Sequence, residues 1–173
     1  MSEPRVRPDP AFALLEIYAE ALPQVYGYLR ARCGNTVLAE DLTSATFLGA
    51  VDTARRGAVA VSVSWLIGIA RHKLADHWRS VEREERGLRL VYQAREETAA
   101  APSEQLEVLV ARQVLAELGA HHRAALTLRY LDGLPVPEVA AHLDRTVHAT
   151  EALLVRARAA FRKAYQRRGG QDD

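Results

Sequence analysis

The residues best suited to chemistry gather near the C-terminus. Between Arg156 and Arg168 stand Arg156, Arg158, Arg162, Lys163, Arg167 and Arg168, with no acid among them. Cations in such a run can neutralise phosphates, and here they form a local basic stripe on a chain whose formal net charge is +1. Just upstream, Val139, Ala140 and Leu143 give a short apolar face. The three residues Asp144, Arg145 and Thr146 follow, then a longer periodic run with Val147, Leu154, Ala157 and Phe161. A short helix, a tight turn and a longer helix make the helix-turn-helix pattern, whose second helix places its first residues in the DNA major groove. His148, Ala149, Glu151 and Ala152 occupy those positions, and Arg145, Arg156 and Arg158 are placed to meet phosphates. The competing reading is a plain helical hairpin with solvated arginines.

Other chemistries find little support. No two of the six histidines (His72, His77, His121, His122, His142, His148) lie four residues apart, so a helical zinc pair is not expected. There is no glycine-rich phosphate loop, nucleophile elbow or paired-carboxylate motif. The chain reads as a non-enzyme, with no metal and no cofactor. Cys33 is the single cysteine and excludes an internal disulfide; a buried structural thiol is the expectation, a redox sensor the alternative. The opening MSEPRVRPDP lacks the apolar core of a signal peptide, and no stretch approaches the ~18 apolar residues of a membrane span. A cytoplasmic protein without membrane insertion is expected.

The elements that must position these residues are helical. Hydrophobic residues make up 49% of the chain, enough for a core. Phe12, Leu15, Ala19, Leu22, Tyr26 and Leu29 recur at steps of three and four, one face of a helix, with a kink expected at Pro23. Gly34 and Asn35 stop it, and Thr36 can cap a second helix to about Val51. Residues 52–63 read as a loop. Ser62 or Ser64 can cap a third helix that turns Trp65, Leu66, Ile69, Ala70 and Leu74 to a core and leaves Trp78 partly exposed. From about Arg83 to Ser103 the periodicity is lost. Helices then follow from Glu104 to about Leu118 and from His121 to Leu131, the second closed by Asp132 and Gly133. The fold expected is all-α, two small helical domains joined by a linker. The parts are a flexible tail (1–10), a first domain (11–83), the linker (84–103), a helix-turn-helix domain (104–166) and a second tail (167–173).

Three segments extend the pattern into a family resemblance. Residues 39–50, AEDLTSATFLGA, resemble region 2 of extracytoplasmic-function sigma factors of the sigma-70 family. WLIGIARHKLADHWR, residues 65–79, resembles the helix that follows there. LTLRYLDGLPVPEVAAHL, residues 126–143, resembles the start of region 4, and VRARAAFRKAY its end. The order and spacing agree as well.

The resemblance implies an alternative sigma factor that directs core RNA polymerase to promoters. By that likeness, Asp41, Thr43, Ser44 and Phe47 would meet the β′ clamp helices. Arg55, Arg56, Arg71, His72, Lys73, His77 and Arg79 would face minus-ten DNA. Arg145, His148, Ala149, Glu151, Ala152, Arg156 and Arg158 would serve the minus-thirty-five element, and the second domain would touch the β flap. A separate anti-sigma factor is the implied inhibitor. The chain departs from the pattern twice. The segment Arg55–Ser64 lacks the aromatic residue that many relatives use to hold an extruded base. Glu151 stands where a cation is frequent; it either accepts from a cytosine amino group or pairs with an arginine such as Arg158. Two other functions fit the helices alone: a stand-alone helix-turn-helix regulator, or a helical protein-interaction module that binds no DNA.

Overall fold

A computed structural model describes residues 10–57, 59–88 and 104–169. Seven helices occur among them: α1 (Pro10–Cys33), α2 (Thr36–Arg56), α3 (Val63–Leu88), α4 (Glu104–Glu117), α5 (Ala120–Leu126), α6 (Val136–His142) and α7 (Val147–Gly169). A π-helical turn, Thr127–Leu131, continues α5. No helix of the described residues is long and apolar enough to cross a membrane. The chain divides into two compact units, Met1–Leu74 and Ala75–Asp173, and the division falls inside α3. The expected first tail lies outside the described residues up to residue 9, the linker from residue 89 to 103, and the second tail from residue 170.

In the first unit α1 and α2 form a helical hairpin closed by Gly34 and Asn35. Gly34 takes a left-handed φ of 69°, which glycine adopts without steric cost. Asn35, rather than Thr36, caps α2: its Oδ1 accepts from the Leu38 amide. The buried stripe of α1 is Leu14, Ala21, Val25, Leu29 and Cys33. The bulkier stripe expected from the sequence is only partly right. Leu29 belongs to the core, but Phe12 and Leu15 are 61% and 69% exposed, and Leu22 and Tyr26 are half-buried. Both stripes obey helical periodicity, and the position of α2 decides which is covered. Pro23 sits inside a continuous α1.

α2 runs to Arg56, beyond the boundary expected near Val51, so the break before α3 is short. Ser62 starts α3 by accepting from the Trp65 amide. Leu66, Ala70 and Leu74 are buried in the first unit. Gly49 on α2 leaves room for Ile69 and Lys73: a Cβ there would lie 3.4 Å from the Lys73 stem. Trp65 is half-buried, whereas Trp78 is only 3% exposed, the reverse of the expectation. Trp78 belongs to the second unit, where it shares a small cleft with His121, Ala124, Leu143 and Leu153. Those partners lie more than forty positions away in sequence (about 43 to 75), so the periodicity of α3 could not reveal them.

In the second unit α7 packs against α4, α5 and α6. Leu115, Leu126 and Ala157 form a buried cluster with Leu118 and Phe161 against it. The π turn brings Thr127 and Leu128 into the interior. Gly133, with φ 68°, then reverses the chain, and the Leu134 amide donates to the Leu128 carbonyl.

Four threonines are buried. Thr43, Thr46 and Thr150 donate their hydroxyls to the carbonyls of Ala39, Leu42 and Thr146, one turn back. The Thr127 hydroxyl has no such partner among the described residues. A buried hydroxyl without a partner costs about 1–3 kcal/mol, while a satisfied one contributes about 1 kcal/mol net. Thr127→Val should therefore stabilise the second unit by about 1 kcal/mol, and Thr46→Val should destabilise the first by a similar amount. Urea unfolding of both variants checks the opposite signs.

Candidate nucleic-acid and polymerase interface

The turn between α6 and α7 explains why α7 projects as it does. The Arg145 amide donates to the Ala140 carbonyl at 3.0 Å and the Asp144 amide to Ala141 at 3.3 Å. Asp144 has φ 52°. This is a Schellman ending of α6 with aspartate at the left-handed position, which Asp tolerates better than most residues. Thr146 then caps α7: its Oγ1 accepts from the Ala149 amide at 3.1 Å. Only the four residues from Leu143 to Thr146 separate the two helices, leaving little slack.

The buried stripe of α7 is Thr150, Leu153, Leu154, Ala157 and Ala164. Around the rest of the circumference Val147, His148, Glu151, Val155, Arg156, Arg158, Arg162, Lys163 and Arg167 are exposed. The minus-thirty-five candidates do not share one face: Arg156 and Arg158, two residues apart, project to different sides of α7, and the surroundings of the set differ. His148, Glu151 and Arg156 are exposed, while Ala149 and Ala152 are half-buried. Arg158 donates to the Tyr130 hydroxyl at 3.2 Å. Arg145 is half-buried and bridges to Glu82 at 2.6 Å; Glu82 also pairs with Arg86. Glu82, Glu85, Arg86, His121, Arg145 and Arg156 line a polar cleft of about 190 Å³. At the far end Arg168 bonds Gln113 and Glu117 of α4, so the basic stripe effectively ends at Arg167.

On the first unit the polymerase-binding candidates divide. Asp41 and Ser44 are exposed, Thr43 is buried, and Phe47 is half-buried with its ring edge-on to Tyr18, centroids 5.0 Å apart. Val37, Asp41, Ser44 and Leu48 follow one another at helical steps, and Val37 and Leu48 are 64% and 71% exposed. Beside them Leu22, Pro23 and Tyr26 of α1 and Glu40, Thr43 and Ser44 of α2 line an open groove of about 390 Å³. The sequence reading missed Val37, Leu48 and the α1 side of this groove. The signal available was the surplus of apolar residues on α1, more than one buried stripe can hold.

The minus-ten candidates are spread along two helices. Arg55 and Arg56 end α2 rather than lying in a loop, and favour its C-terminal dipole. Arg56 bridges to Asp52 at 2.6 Å with both side chains exposed. On α3, His72 is exposed, and Arg71 and Lys73 are half-buried. In the second unit Arg79 pairs with Asp76, and His77 is half-buried near Glu84 and Arg123. Burial lowers the His77 pKa below the ordinary 6.5, an effect that Glu84 opposes and Arg123 reinforces. Among the described residues no group of histidine, cysteine and acid side chains could hold a metal. Cys33 is buried.

Two family models match the chain, sigma-70 region 2 over residues 17–84 and sigma-70 region 4 over residues 109–161. The ECF RNA polymerase sigma factor SigC of Mycobacterium tuberculosis is 33% identical, over 85% of this chain and 80% of that protein. The chain belongs to the extracytoplasmic-function branch of the sigma-70 family. The ECF RNA polymerase sigma factor BldN of Streptomyces coelicolor is 32% identical over 88% of this chain, which spans 60% of BldN. A solved structure of the sigma factor RpoE from Bartonella quintana, in complex with the anti-sigma factor NepR, covers 90% of the chain and is itself 97% covered. Its TM-score is 0.56 at 21% identity, a likeness of fold. The chain is thus an alternative sigma factor, a transcription initiation factor, and the readings as a stand-alone regulator or an interaction module are not favoured. The region 2 match takes in α1 from residue 17, all of α2 and α3 as far as residue 84, and α6 and α7 form the helix-turn-helix of region 4.

Two outcomes follow from this geometry. Thr146→Ala removes the cap of α7 and should cost about 1 kcal/mol, measured by chemical denaturation. His77 has a folded pKa below its unfolded value, so the unfolded chain binds more protons. Its contribution is fully present above pH 6.5 and is lost as pH falls through the lowered folded pKa. His77→Gln should flatten the fall in Tm between about pH 7 and 5, as followed by circular dichroism.

Proposed function

We propose that region 2 docks on the β′ clamp helices of core RNA polymerase through the exposed face of α2. The mixed stripe of Val37, Asp41, Ser44 and Leu48, with the apolar groove beside it, supports this reading. An acidic and apolar helix face complements a basic, partly apolar helical partner. Phe47 would contribute its exposed edge, while Thr43 shapes the groove wall. Arg55, Arg56, Arg71, His72 and Lys73 would contact minus-ten DNA, with Arg79 and His77 at the margin of that surface.

For region 4 the carrying observation is the tightly capped α7 with its exposed basic face. Its first turns, from His148 to Ala152, would enter the major groove of the minus-thirty-five element, and Arg156 and Arg158 would hold the flanking phosphates. Arg145 would join them on exchanging Glu82 for phosphate. The β flap would meet region 4 away from that face. The protein supplies promoter choice and the polymerase supplies the chemistry, in the cytoplasm where core polymerase resides. A separate anti-sigma factor is the expected inhibitor, as RpoE has NepR.

Reconstitution with core polymerase tests the proposal. The purified chain should bind promoter DNA weakly, and the holoenzyme should start transcription at selected promoters. Arg156→Ala should weaken holoenzyme binding alike on all promoters and lower the salt-dependence slope by about one. Selective initiation that does not depend on this chain would overturn the reading.

A further inference from the structure

Glu151 is an anion on an otherwise basic, exposed helix face, and the fold gives it no structural task. Thr146 already caps α7, and the capping-box position is occupied by Ala149. Glu151 is the fifth residue of the helix, beyond the first turn where a carboxylate gains from the dipole. Its neighbours at three and four residues are Val147, His148, Leu154 and Val155, so no arginine or lysine stands where a helical ion pair forms. Arg158, the partner considered from sequence, is turned to the Tyr130 hydroxyl, and Arg145 is held by Glu82. Among the described residues the Glu151 side chain forms no ion pair or hydrogen bond.

Beside DNA, such a group is repelled by phosphates unless a base compensates it. An ionised carboxylate only accepts hydrogen bonds. In the major groove the donors are the amino groups of cytosine and adenine, and adenine sets its N7 acceptor beside its amino group, which suits an amide rather than a carboxylate. We infer that Glu151 is a specificity residue of region 4, selecting cytosine at one position of the minus-thirty-five element by accepting from its N4 amino group. The inference rests on the proposal that α7 reads that element.

The test uses holoenzyme on promoters whose minus-thirty-five element is randomised, with initiation read by sequencing the transcripts. The wild type should favour cytosine at one position on one strand, on the order of fivefold. Glu151→Ala should flatten that position and leave the others unchanged. Glu151→Gln offers a donor and an acceptor and should shift the same position toward adenine. Identical base preferences in wild type and Glu151→Ala would overturn the inference while leaving α7 as the reading helix. So would a uniform gain in binding across all sequences, the mark of simple charge repulsion. A wild-type holoenzyme that initiates selectively but ignores the minus-thirty-five sequence would overturn the reading of α7, and the inference with it.

Discussion

Burial of one stripe of α7 is the interaction on which the second unit depends. Thr150, Leu153, Leu154, Ala157 and Ala164 face inward, and α4, α5 and α6 all pack against this helix. Ala157 is fully buried beside Leu115 and Leu126. A larger side chain at this crossing would force the helices apart, because interiors are packed too densely to absorb it. Once that stripe is covered, the face on the far side of α7 must be exposed, since a helix repeats every 3.6 residues. The exposed basic surface is thus the geometric complement of the core, and the turn from Asp144 to Thr146 fixes where it begins.

The first unit manages its surface differently. α1 carries more apolar residues than the hairpin can bury, and those left over stay open beside an equally exposed stripe of α2. Phe12 and Leu15 would gain on the order of 1.5–3 kcal/mol each if covered, so this face has apolar surface ready to bury. The basic groups of the second unit are likewise only partly available. Arg145 and Arg168 are drawn into internal ion pairs, and Arg158 leans on Tyr130. Under the proposed reading, phosphate contacts by these arginines would have to compete with contacts the protein makes to itself.

Much of this was legible in the chain. The helical class, the closing turn at Asp132 and Gly133, the Ser62 cap and the buried positions Val139, Ala140, Leu143, Leu154 and Ala157 follow from spacing and local hydrogen-bond chemistry, which neighbouring residues decide. The family was legible for the same reason: its motifs are runs of adjacent residues. Tertiary packing decided the rest. Which apolar stripe of α1 is core depended on where α2 lies. That Trp78 is buried and Trp65 less so depended on residues 43 to 75 positions further along (roughly, from His121 to Leu153). The fate of Arg158 turned on a hydroxyl 28 residues away. A helix pattern says that one face will be covered and cannot say by what, and whether Glu151 has a partner was settled only where the chain folded back on itself.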